Sequence, residues 1–260
     1  MIKSLRTIRK YNILWAMAYR VSFVIQVWSM FLSDLVMLFV FFFFFQKFGT
    51  IAGMEFQGYI KMLIICLLWY CVHSIFFAGT RKIGERIVTW QLDSHLLLPK
   101  NMLLRIMMSK IDISVFGDFI YMIWLFFLVK DISVIFVMKA IFLGFLGWMT
   151  LTGFFLAVES LWFRIGSSRE LSRASFDWVL GPAHYPQNIF QWMFFKVLFV
   201  TLLPVFFTTY LPYNMLSSDF SRGNLLLLLG GCLCFCGLWI FLFYRGLGRY
   251  ESGNMMNVNS

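Results

Sequence analysis

The chain has 260 residues, of which 61% are hydrophobic and 13% charged, with a formal net charge of +10. Soluble domains keep roughly a quarter of their residues charged, and the 33 phenylalanines are more than a soluble fold of this length can bury. The composition excludes a soluble catalytic domain beside a membrane one. The positive charge does not indicate nucleic acid, because Lys and Arg lie in short loops between apolar runs rather than in one patch.

Residues 1–20 predict an amphipathic helix lying in the membrane interface. At about 100° per residue, Leu5, Ile8, Trp15 and Tyr19 share one wedge, and Lys3, Arg6, Arg9 and Lys10 share another. The basic wedge suits anionic lipid, although Ile13 and Met17 fall on that side too. A basic anchor that only fixes topology is the alternative. No small-residue cleavage site follows, so a removable signal peptide is not expected.

A helix needs about 20 apolar residues to cross a hydrocarbon core of about 30 Å. Six stretches qualify, approximately residues 21–45, 58–79, 108–129, 133–158, 190–212 and 224–244. Asp34 falls near the middle of the first and Asp118 near the middle of the third. Ionisable residues at that depth are costly and are usually paired or functional. The two aspartates read as helix contacts or as part of a proton or ion path. The contact reading is preferred, because the sequence shows no line of further polar residues joining them. Pro204 predicts a kink in the fifth span.

Between spans two and three, Ile83, Ile87 and Trp90 recur at helical spacing opposite Arg81, Lys82, Glu85 and Arg86. Asp93 or Ser94 can cap a short turn through Leu96 to Leu98, which Pro99 ends. This pattern predicts a short helix with an exposed apolar stripe, suited to a groove on a partner. The same stripe can instead lie on the bilayer or on the chain's own helices.

Lys and Arg concentrate before span one, after spans two and four, and at Arg245 and Arg249. By the positive-inside rule both termini are expected in the cytoplasm. The five cysteines lie in apolar runs without metal-ligand spacing, so they read as small hydrophobes. The sequence contains no GxxxxGK[ST] phosphate loop, HExxH helix or GxSxG elbow. No metal, cofactor or catalytic residue is expected.

In this order the segments resemble the membrane subunits of ABC-2-type transporters, and most closely the branch in which two related permeases pair with a separate ATPase. The likeness is carried by Glu85, Asp93, Leu96, Leu97, Leu98 and Pro99 after span two, and by Tyr185-Pro186, Pro204 and Pro212 around span five. The tail Arg249 to Gly253 and the basic N-terminal helix complete it. The long polar stretch from Arg164 to Pro182 and the phenylalanine-rich first span depart from the pattern.

The resemblance implies an all-α membrane domain of six helices over residues 21–248, preceded by the interfacial helix 1–20 and followed by a cytoplasmic tail, 249–260. It implies a coupling loop, residues 81–101, that docks on a dimeric ABC ATPase through Arg81, Glu85, Ile87, Trp90, Asp93 and Pro99. ATP and Mg would then reside on the ATPase, and a second homologous permease would complete the path in a bacterial cytoplasmic membrane. The expected activity is export of an amphipathic or hydrophobic compound. A small-molecule uptake subunit and a structural membrane anchor are the competing readings.

Overall fold

The computed structural model describes residues 19–89, 101–130, 132–165, 169–217 and 220–248. Among these, regular structure is helical apart from one isolated bridge between Ile51 and Met54. Helix α1 (Arg20–Phe48) turns through Gly49 and Gly53. Both glycines have positive φ, 73° and 79°, a region that L side chains rarely adopt. Helix α2 (Phe56–Phe76) returns antiparallel to α1 and runs into a 3₁₀ turn, Ala78–Lys82, and then α3 (Ile83–Val88). The Asn101 side chain caps α4 (Met102–Met107) by accepting from the Leu104 N–H at 3.3 Å.

Helix α5 (Val115–Leu128) leads to α6 (Val134–Ser160), which Ser133 caps by accepting from the Phe136 N–H at 3.1 Å. Then follow α7 (Trp162–Ile165), α8 (Arg169–Ala183) and α9 (Met193–Thr201). A π-helical turn, Phe206–Tyr210, opens α10 (Phe206–Ser217), and α11 (Arg222–Leu247) ends the described chain. Four helices, α1, α2, α6 and α11, are each long and apolar enough to cross a membrane.

Side-chain contacts define two ends of the bundle. At the hairpin end, the Gln57 amide donates to the Leu128 carbonyl at 3.3 Å, and Asn188 donates to the Ala52 carbonyl at 3.0 Å. At the opposite end, where the α2–α3 connection bends into an elbow, the Gly84 N–H donates to Glu159, Trp162 donates to Ser172, and the Phe163 and Phe243 rings meet at 5.7 Å. Helices α1, α5 and α8 therefore run from the elbow to the hairpin, and α2, α6 and α11 run back. At the centre stands α2, whose Tyr59, Met62, Ile64, Ile65 and Trp69 are fully buried. The outer faces of α1 and α11 expose large apolar side chains such as Trp28, Phe43, Leu226 and Leu233, as helices in contact with lipid do.

Two expected spans differ in their helices. The apolar run 190–212 is not one continuous helix but the pair α9 and α10, bent by 81°. Its vertex reaches the bundle middle, where the Trp69 Nε1–H donates to Thr209 Oγ1 at 3.2 Å. Both arms leave towards the hairpin end: Phe199 packs on Phe190 at 5.0 Å, and Tyr213 lies beside Gly58 near the start of α2. The cause is Pro204, which has no N–H and blocks helix continuation. The N–H groups of Leu202 and Leu203 both close on the Leu198 carbonyl, and a new helix starts where the Thr208 N–H meets the Pro204 carbonyl at 2.9 Å.

The run 108–129 is helical as a span only over Val115–Leu128. Its first residues belong to the elbow, where the Asp112 N–H donates to the Ser74 carbonyl at 3.2 Å. Trp69→Phe removes the hydrogen bond to Thr209 and leaves a cavity, because a smaller ring replaces a fully buried indole. The lost bond and the cavity together are expected to cost about 2 kcal/mol or more, read as a lower thermal midpoint in detergent.

Candidate functional site

The connection from α2 to α3 is forced into a tight elbow by two glycines. A Cβ on Gly79 would collide with the Ile106 carbonyl, and one on Gly84 would enter the Trp162 indole. Backbone thus lies directly on α4 and on α7. The Glu159 side chain, at the last turn of α6, accepts from the Gly84 N–H at 2.6 Å and also bonds Ser172 of α8. Ser172 in turn accepts from Trp162 Nε1–H at 2.9 Å. Through these bonds α3 is tied to α6, α7 and α8 at once.

Charged side chains complete the elbow. Arg81 pairs with Asp112 at 3.1 Å, and its guanidinium lies over the Phe176 ring at 4.3 Å, an arrangement that favours Arg. Arg86 is 8% exposed and donates to Ser109 Oγ at 2.6 Å, while Ser109 donates to the Ile106 carbonyl. Burial lowers the Arg86 pKa from its ordinary value, and the neighbouring Glu85 works against that shift. Glu85 accepts from Lys82 at 2.9 Å with both side chains largely exposed, so that pair adds little stability.

A cleft of about 810 Å³ opens beside the elbow. Arg81, Lys82, Lys110 and Arg173 line it together with Glu85, Asp112, Glu159 and Asp177, and Gln26 of α1 closes one side. The two signs balance, so the cleft does not select for one charge. The polar face of α8 supplies Ser172, Arg173 and Asp177, which is why residues 169–183 carry so little apolar signal.

The residues expected to couple divide by position. Arg81 and Glu85 stand at the elbow surface. Ile87 is 8% exposed and Ile83 fully buried, packed with Leu103, Ile106, Leu156, Trp162 and Phe243. The expected exposed stripe is thus turned inward over these two positions, because the chain's own α4, α6 and α11 offer an apolar wall at that spacing. Trp90, Asp93 and Pro99 lie outside the described residues, as do residues 1–18 and the tail 249–260. Asp34 of α1 and Asp118 of α5 meet, their carboxyl groups lying within hydrogen-bonding range of each other. Sequence reasoning did not single out Gly79, Gly84, Trp162 or Ser172. A glycine opening the short helix Ile83–Val88 was the one available signal.

Among the described residues, no group of three or more His, Cys, Asp or Glu side chains could hold a metal. A family model described as ABC-2 family transporter protein matches residues 31–254. No curated protein and no solved structure matches the chain.

Proposed function

The chain belongs to the ABC-2 transporter family, as a membrane permease of an ABC transporter, and from this premise we propose that it forms half of an export path driven by a separate ATPase. The observation that carries the proposal is the elbow. A force applied to α3 reaches α6 and α8 through Glu159 and Ser172, and reaches α11 through Ile83, Ile87 and Phe243. A segment joined to so many helices at one end of the bundle suits a lever worked from outside the membrane.

In this reading the chain crosses the membrane six times, by α1, α2, α5, α6, α8 and α11, with the elbow end in the cytoplasm of a bacterial cell. Arg81, Lys82, Arg86, Arg105 and Lys110 lie in the α2–α5 connection, whereas the α1–α2 turn and the α5–α6 connection hold little besides Lys47 and Lys130. That asymmetry follows the positive-inside rule. Residues 81–101 dock on the ATPase, with Arg81, Glu85, Trp90 and Asp93 at the contact and Ile87 holding the segment in place. A second, homologous permease supplies the other wall. ATP-driven closure must favour one state of the permease pair by several kcal/mol to shift its population decisively. The cargo is an amphipathic or hydrophobic compound.

The test is purification of the tagged chain in mild detergent from its own host, with mass spectrometry of what co-elutes. A co-eluting ABC ATPase is expected, and Trp90→Ala or Asp93→Ala should release it while membrane insertion is unchanged. Elution of the intact chain without an ATPase, under conditions that preserve other complexes, would favour an anchor or uptake subunit instead. Retention of the ATPase by both variants would move the docking contact elsewhere.

A further inference from the structure

The carboxyl groups of Asp34 and Asp118 face each other between α1 and α5, and Asp118 is 2% exposed. The Oδ2 atom of each is buried, with no hydrogen-bond donor in reach. Two carboxylate oxygens are acceptors only, so neither can satisfy the other without a proton between them. Two bare charges at this depth carry a desolvation cost that a single backbone hydrogen bond at Asp118 does not offset. The titratable groups close enough to act on the pair electrostatically include Cys66, Tyr70 and Cys71 of α2 and Tyr121 of α5, together with Asp112. None of these carries a positive charge. A hard metal cation would ask for about six oxygen ligands, and two carboxyl groups do not provide them.

We propose that Asp34 and Asp118 bind one proton between them, and that this shared proton fastens α1 to the rest of the bundle. Other ties of helix α1 are aromatic contacts, among them Phe31 on Tyr121 at 6.5 Å, Phe41 on Tyr59 at 4.5 Å and Phe45 on Phe56 at 5.6 Å. Its buried residues are Val27, Leu38, Phe41 and Phe45, and its closest backbone approach is to Gly117, where a Cβ would collide with the Val27 carbonyl. Removing the proton sets two like charges against each other at that contact and loosens α1.

The experiment uses native membranes containing the full chain and the apolar reagent dicyclohexylcarbodiimide. Its nitrogen takes up the acid proton as the carboxyl oxygen adds to its carbon, so only a protonated carboxyl is tagged. The expected result is one tag per chain, on Asp34 or Asp118, lost progressively as pH is raised. Asp34→Asn and Asp118→Asn should each abolish tagging of the remaining aspartate, because the amide now donates the hydrogen bond and no proton is required. A free-standing acid would still be tagged, and that outcome overturns the proposal. Protection by added sodium or calcium at fixed pH also overturns it, in favour of a metal ion. Where the reagent leaves the pair untouched, infrared spectroscopy of the purified chain decides. A protonated-carboxyl carbonyl band present in the parent and lost in either Asn variant supports the shared proton, and its absence from the parent overturns it.

Discussion

Gly79→Ala is expected to destabilise the chain by about 3 kcal/mol, at the upper end of what overpacking usually costs, and to release the ATPase partner. The added Cβ collides with the Ile106 carbonyl and would stand 2.7 Å from the Met107 carbonyl and 2.8 Å from Ser109 Oγ. Two of these three are backbone oxygens, which cannot swing aside as a side chain can. The 3₁₀ turn must lift away from α4, and the bond from Arg86 to Ser109 at 2.6 Å goes with it. Arg86 would then lose this hydrogen bond at a buried position. Gly230→Ala is the matched control, since a Cβ there meets nothing within 4 Å. It should stay within about 0.5 kcal/mol of the parent. The readouts are the thermal midpoint in detergent and co-elution with the ATPase. Equal midpoints for the two variants would mean that the elbow is not closely packed on α4.

What the sequence made legible depended on whether one physical property decided the element. For α1, α2, α6 and α11 hydropathy decides. The expected spans 21–45, 58–79, 133–158 and 224–244 fall within a few residues of Arg20–Phe48, Phe56–Phe76, Val134–Ser160 and Arg222–Leu247. Hydropathy misleads wherever a partner surface changes what a side chain faces. The polar stretch from Arg164 to Pro182 hides a 15-residue helix, α8, whose Ser172, Arg173 and Asp177 line the cleft. Ile111 and Ile113 read as membrane residues, yet they flank the Arg81–Asp112 pair outside α5. Pro204 was visible as a kink, but the 81° bend also depends on Trp69 and Gly147, which receive the vertex from other helices.

The candidate site shows the same division. Arg81, Glu85 and Ile87 could be placed on one short helix from spacing alone. The inward turn of Ile83 and Ile87 could not, because it requires knowing that Leu156 and Phe243, about 70 and 160 residues further along, meet at the same end of the bundle. The pairing of Asp34 with Asp118 likewise rests on the α1–α5 contact, which no local pattern encodes.

The contact between Gly84 and Trp162 gives a double-mutant test of the proposed transmission path. Trp162 is 4% exposed and packs its indole on the Gly84 backbone, so Trp162→Ala leaves a cavity there and frees the Ser172 hydroxyl. The expected cost is about 3–5 kcal/mol. Gly84→Ala alone drives a methyl into the indole and should cost about 1–3 kcal/mol. In the double variant the methyl enters the space that the indole has left. The combined loss should then fall short of the sum by about 1 kcal/mol or more, the size of coupling expected between residues in contact. Coupling to the ATPase should behave differently. The methyl refills part of the volume, but the bond from Trp162 to Ser172 stays absent, and Ser172 is the link between Glu159 and α8. Stability is therefore expected to recover in part while permease-dependent stimulation of the ATPase does not. Recovery of both together would mean that packing alone carries motion from α3 into the bundle, without the Glu159–Ser172–Trp162 hydrogen bonds.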